Sequence, residues 1–90
     1  MYVWDEGKRQ ANLKKHALDF RDAALVYESP EKYTYHSDRA TESRWLDLAL
    51  VRAHGRVLAL VYTLRGEKVR IISFRVASKE EREQYEQDAK

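Results

Sequence analysis

Three stretches of strand character follow one another with turns of about three residues between them, and this spacing constrains the fold more than any other feature. Arg44 to Arg52 alternates, with Leu46, Leu48 and Leu50 on one face and Trp45, Asp47, Ala49 and Val51 on the other. Arg56 to Leu64 is apolar on both faces, as a central strand should be. Lys68 to Ala77 alternates again. Ala53-His54-Gly55 and Arg65-Gly66-Glu67 carry the glycines that turns require. Parallel neighbours need a crossover of a dozen residues or more, so strands joined this tightly form an antiparallel meander.

The flanks read as helices. Tyr2-Val3-Trp4 is a short first strand, and Asp5 is placed to cap a helix running to about His16. On that helix Lys8, Asn12 and Lys15/His16 fall along one side. Asp19 caps a second helix, whose Phe20, Ala23, Ala24 and Tyr27 have the spacing of a core-facing stripe, and Ser29-Pro30 stops it. Lys32 to His36 is an edge strand or an ordered loop. Ser78-Lys79-Glu80-Glu81 is a capping box that opens a C-terminal helix. With only Tyr85 and Ala89 apolar, that helix is expected to touch the domain lightly. The leucine face is expected to pack on the helices and to continue into Ile72, Phe74 and Val76. The chain therefore reads as a single α+β domain over residues 1–90, with N-terminal helices, an antiparallel meander and a C-terminal helix.

Ninety residues suffice for one core but leave little room for a buried cofactor. No cysteine is present, so disulfides and thiolate metal sites are excluded. The three histidines, at 16, 36 and 54, lack metal-ligand spacing. Neither a glycine-rich phosphate loop nor a nucleophile elbow is found. The longest apolar run, Val57 to Tyr62, is far below the ~20 residues that span a bilayer. With no secretory pattern at the N-terminus, a cytoplasmic protein without cofactor, metal or membrane is expected.

The net charge of +2 conceals a strong asymmetry. Residues 1–43 carry seven basic and eight acidic side chains, residues 44–77 seven and two, and residues 78–90 three and five. The sheet is thus net +5 and is followed by an acidic helix. Local potential steers ligands more than net charge does, so an anionic partner is expected. Arg44, Arg56, Arg65, Arg70 and Arg75 lie on or beside three adjacent strands, and guanidinium forks suit phosphate oxygens. One edge arginine is often a solubility device; five together suggest a phosphodiester backbone. His16 is a candidate proton acceptor, or simply a helix C-terminal histidine bonded to the last carbonyls. Glu42 falls on the same face as Arg44, as a surface ion pair or as a base beside a phosphate. Trp45, Tyr33, Tyr35 and Tyr62 offer rings to unpaired bases, although Trp45 and Tyr62 equally suit the core.

These same residues carry a family resemblance. Trp4-Asp5-x-x-Lys8-x-x-x-Asn12-x-x-Lys15-His16, Glu42-x-Arg44-Trp45, Arg65-Gly66, Arg70-Ile71-Ile72-Ser73-x-Arg75-x-Ala77 and Glu81-Arg82-x-x-Tyr85-Glu86 together closely resemble the BrnT toxins. Ala17, Ala49 and Phe74 depart from that pattern, standing where the family usually has glycine, glycine and a small residue. The resemblance implies a RelE-like fold and a type II toxin, a metal-independent endoribonuclease that arrests growth. It also implies a BrnA-like antitoxin with a ribbon-helix-helix domain, through which alone the complex would meet DNA. Arg44, Arg65, Arg70 and Arg75 would hold phosphate, with His16 or Glu42 as base and Lys8, Lys15 and Trp45 assisting at the RNA. The rival readings are a non-catalytic nucleic-acid-binding or interaction module, or arginines that chiefly hold an acidic partner chain.

Overall fold

A computed structural model describes the backbone of residues 1–39 and 42–90, and the side chains outside 37–42. In chain order the elements are β1 (Tyr2–Val3), α1 (Glu6–His16), a 3₁₀ turn (Phe20–Asp22), α2 (Ala24–Tyr27), β2 (Tyr33–Arg39), β3 (Glu42–Val51), β4 (Arg56–Arg65), β5 (Lys68–Val76) and α3 (Lys79–Asp88). The five strands form one sheet in the order β1-β5-β4-β3-β2. The meander is antiparallel from β2 to β5, and β1 joins its far edge in parallel, through Tyr2↔Val69 and Val3↔Arg70. Among the described residues no helix is long and apolar enough to cross a membrane.

Local chemistry explains the helix ends. The Asp5 carboxylate accepts from the Lys8 amide at 3.0 Å and starts α1. α1 ends at Ala17, whose left-handed backbone (φ 59°) turns the chain toward the sheet at the strain cost glycine would avoid. Asp19 caps a 3₁₀ turn rather than the longer helix expected, and α2 adds a single helical turn. The core-facing stripe is accordingly Phe20, Ala23 and Val26, with Ala24 and Tyr27 only partly covered.

Two apolar clusters lie on opposite faces of the sheet. The first joins Leu18, Phe20, Ala23 and Val26 to Ala49, Val51, Leu58, Leu60, Tyr62, Val69, Ile71 and Phe74. The second joins Leu48, Val57 and Ala59 to Ala77 and Tyr85, with Leu46 and Leu50 packed against it. The leucine face of β3 therefore meets α3 and not the N-terminal helices. α3 does more than touch: Tyr85 is 7% exposed, its hydroxyl donates to the Glu31 carbonyl at 2.9 Å and accepts from the Leu50 amide at 3.2 Å. One aromatic ring anchored at its polar tip is enough to dock an otherwise polar helix.

The expected set Ile72, Phe74, Val76 also separates, for a stated reason. Val61 pairs with Ser73 but Tyr62 with Ile71, so Ile72 is an extra residue on β5, a bulge. Past the bulge the alternation shifts by one, which puts Ile71 and Phe74 on one face and Ser73 and Arg75 on the other. Val76, at the strand end, is 38% exposed.

β1 stops at Val3, so among the described residues β5 beyond Arg70 has no strand on that side. Asn12 takes the vacant place. Its amide donates to the Phe74 carbonyl at 2.7 Å and to Leu18 O at 3.0 Å, while its oxygen accepts from the Phe74 amide at 3.2 Å. A side-chain carboxamide has the donor and acceptor of a peptide, and here it serves as a one-residue strand.

Candidate functional site

α3 covers only one end of the face it packs on. Beyond it the face opens into a groove of about 350 Å³ lined by Arg44, Trp45, Leu46, Val61, Ile72, Ser73, Arg75 and Glu81. The register orders this surface in rows. Leu46, Val61 and Ser73 form the central row, and Leu48, Ala59 and Arg75 the next toward α3. On the other side Thr63 pairs with Arg70, and Arg44, one step before the Trp45↔Tyr62 pair, flanks Thr63 from β3. Arginines on β3 and β5 are two strand spacings apart, roughly 10 Å, wide enough for a nucleotide unit between them. The bulge is what brings Ile72 and Ser73 together at the wall of the groove and sends Arg75 to its face.

The three arginines differ in environment. Arg44 is exposed and Arg70 half-buried, and among the described residues neither is ion-paired. Arg75 is held end-on by Glu81, Nη1 to Oε1 at 2.7 Å and Nη2 to Oε2 at 3.0 Å. The pair is largely covered, with side chains 28% and 19% exposed. That contact raises the guanidinium pKa and, together with the Ser78 amide, lowers that of the carboxyl, both staying charged.

The other candidates lie elsewhere. His16, at the end of α1, lines a separate depression with His54 and Arg56. Burial, and then the charges of Lys15 and Arg75, push its pKa below the ordinary 6.5, so it is neutral at pH 7. Lys8 and Lys15 are exposed on α1. Arg65 is exposed at the end of β4, opposite Lys68 across the turn at Gly66 (φ 61°). Glu42 begins β3, and its side chain lies outside the described residues. Trp45 lines the groove, while its ring stacks on His36 (centroids 4.3 Å apart, planes at 33°) and packs against the first cluster. Tyr62 is buried, its hydroxyl donating to Asp47 at 3.0 Å. No three His, Asp or Glu side chains among the described residues gather as a metal site would require.

Sequence reasoning passed over Glu81 as a site residue. Its place in the capping box accounts for it fully as a local feature. The available signal was its position six residues after Arg75, since a helix that starts directly off a strand turns its first carboxylates back over that strand's end.

A small α+β domain with arginines from two strands around a shallow groove on one sheet face has the chemistry to hold an anion. Residues 4–81 match the family model described as the ribonuclease toxin BrnT of type II toxin–antitoxin systems, and the chain belongs to that family. It is thus a ribonuclease toxin, with RNA as substrate and an antitoxin as partner. No curated protein gives a significant match to the sequence.

Proposed function

We propose that this chain is an endoribonuclease that works without a metal, cutting RNA across the groove on the open sheet face. The observation that carries the reading is that Arg44 and Arg75 line the groove with Val61 and Ser73, while Arg70 pairs with Thr63 one row along the same face. RNA supplies its own nucleophile. A base removes the 2′-OH proton, the oxygen attacks the adjacent phosphorus, and the 5′-oxygen leaves as it gains a proton. The products are a 2′,3′-cyclic phosphate and a 5′-hydroxyl, the former opening to a 3′-phosphate with water. Charge accumulates on the phosphorane oxygens, where fixed guanidinium donors act best. Arg44, Arg70 and Arg75 hold the phosphate, with Arg65 reaching from the hairpin end. His16, neutral at pH 7 and near enough to Arg75 to feel its charge, or Glu42 takes the proton, and Lys8 and Lys15 add positive field along α1. In the resting cell a BrnA-like ribbon-helix-helix antitoxin covers the toxin, and DNA is met only through that complex.

The test uses purified protein with single-stranded RNA in excess EDTA. Cleavage with 2′,3′-cyclic or 3′-phosphate ends, and resistance of DNA of the same sequence, is the expected result. Activity that needs added divalent metal, or efficient cutting of DNA, overturns it. Tight RNA binding without any cleavage returns the chain to a binding module.

A further inference from the structure

We infer that Glu81 is a positioning residue for this ribonuclease: it clamps the end of the Arg75 guanidinium and aims its remaining edge at the substrate phosphate. The inference rests on the ribonuclease reading above and adds a residue to it.

The geometry is that of a fork meeting a fork. A guanidinium has five N–H donors, and Glu81 uses one on Nη1 and one on Nη2, at 2.7 and 3.0 Å. Among the described residues nothing engages Nε of Arg75. Nε–H and the second Nη2–H lie along another edge of the same plane, spaced to meet two oxygens of one phosphate. Arg75 can therefore hold Glu81 and a phosphate together, so the carboxylate need not be displaced when substrate arrives.

The carboxylate is itself held from the helix side. Oε1 of Glu81 accepts from the Ser78 amide at 2.9 Å, and the Glu81 amide donates to Ser78 Oγ at 3.2 Å. Strand end, helix start and guanidinium thus form one rigid unit at the rim of the groove. A free arginine spends its time among many rotamers, whereas this one is fixed before binding. Pre-orientation of that kind lowers the barrier where charge develops, without adding a contact to the ground state.

The proposal separates from helix capping by the choice of variants. Glu81→Gln keeps a good capping residue and the acceptor for the Ser78 amide, but its NH₂ faces Arg75 Nη2, donor against donor. Ser78→Ala weakens the cap and leaves the fork. Cleavage is measured for the wild type, Glu81→Gln, Ser78→Ala, Arg75→Ala and the Arg75→Ala/Glu81→Gln double variant, with circular dichroism on each. Glu81→Gln is expected to lower kcat roughly tenfold, the smaller end of the loss when a supporting partner is removed, with KM little changed. The same substitution made in Arg75→Ala is expected to have no further effect. Ser78→Ala should melt earlier but lose clearly less rate than Glu81→Gln, because the Ser78 backbone amide still holds Oε1 and the fork to Arg75 is intact.

Additive losses in the double variant would make Glu81 a base or an independent contact and overturn the proposal. Faster cleavage by Glu81→Gln would make it a competitor of phosphate, with the same consequence. Slowing by Ser78→Ala equal to that by Glu81→Gln would reduce Glu81 to a cap. A second measurement stands apart from activity: the Nε–H resonance of Arg75 in ¹H–¹⁵N spectra, titrated with a 2′-O-methyl RNA that cannot be cut. A sharp signal that shifts on RNA addition is expected in the wild type, and a broadened one in Glu81→Gln. An unchanged signal in both overturns the inference even if the enzyme is active. An inactive wild type with the expected resonance would instead count against the ribonuclease reading alone.

Discussion

Asn12 is the side chain on which the N-terminal helix depends, since it is the sole buried residue of α1 among those described. Replacing it by alanine leaves the Phe74 amide, the Phe74 carbonyl and the Leu18 carbonyl without their partner. Each buried polar group left unpaired costs about 1–3 kcal/mol, so a loss on the order of 3 kcal/mol is expected in urea unfolding. Asn12→Leu, similar in volume, should do no better, because the deficit is in hydrogen bonds and not in packing. Among the arginines, Arg70→Ala and Arg75→Ala are each expected to slow RNA cleavage about 10²-fold, the cost of one donor to a developing oxyanion. Lysine at either position should restore little, because an ammonium lacks the planar fork. Near-normal rates in both folded alanine variants would mean that these side chains serve the sheet and not the substrate.

α3 and α1 hold the two faces and edges of the sheet by very different means, and their responses should differ. α3 relies on one ring. Tyr85→Ala removes the buried ring and its two hydrogen bonds, to Glu31 and Leu50, for a loss of about 3 kcal/mol or more. Tyr85→Phe should cost much less, about 1 kcal/mol, because only the hydroxyl is lost. Denaturant midpoints measured on both variants check the order. α1 ends on a histidine held below its ordinary pKa of 6.5 by burial and by the positive charges of Lys15 and Arg75. A histidine depressed in the folded state favours folding in its neutral form. That contribution is complete above the unfolded value near 6.5 and is lost as pH falls below it. Unfolding free energy should therefore decline as pH falls below about 6.5, and His16→Gln should flatten that decline. Glu81 and Asp19, lowered by Arg75 and Arg21 respectively, lose their contributions only at more acidic pH.

At the scale of the whole molecule, the charge distribution governs association. The net +5 of residues 44–77 includes the arginines of the open face, which an antitoxin blocking the proposed RNA site would cover. Its contacting segment is expected to be acidic around apolar anchors, so that it occludes the arginines while filling the groove beside Leu46 and Val61. Added salt should slow association much more than it speeds dissociation, since exposed charges steer encounter and buried anchors set lifetime. Stopped-flow mixing of the toxin with its co-expressed neighbour, at several ionic strengths, measures both rates. Harmless expression of this chain alone, with no stable complex formed by either flanking gene product, would favour the binding-module reading.

The antiparallel meander, the caps at Asp5, Asp19 and Ser78 and the basic character of the sheet were all legible in sequence. Each depends on residues a few positions apart, where backbone preferences and side-chain periodicity act directly. The BrnT pattern was legible for a related reason, since it is a set of residue types at fixed intervals. What tertiary structure decided begins with the bulge at Ile72, which no alternation rule announces because one extra residue reverses every face beyond it. It decided that the leucine face lies under α3, where a single buried tyrosine outweighs a polar helix surface. It also turned Asn12 from one polar residue on a helix into the missing strand partner of Phe74. Arg44, Arg75 and Glu81 share a groove while His16 lines another depression, because sheet register and a strand-to-helix turn set those distances and sequence separation does not.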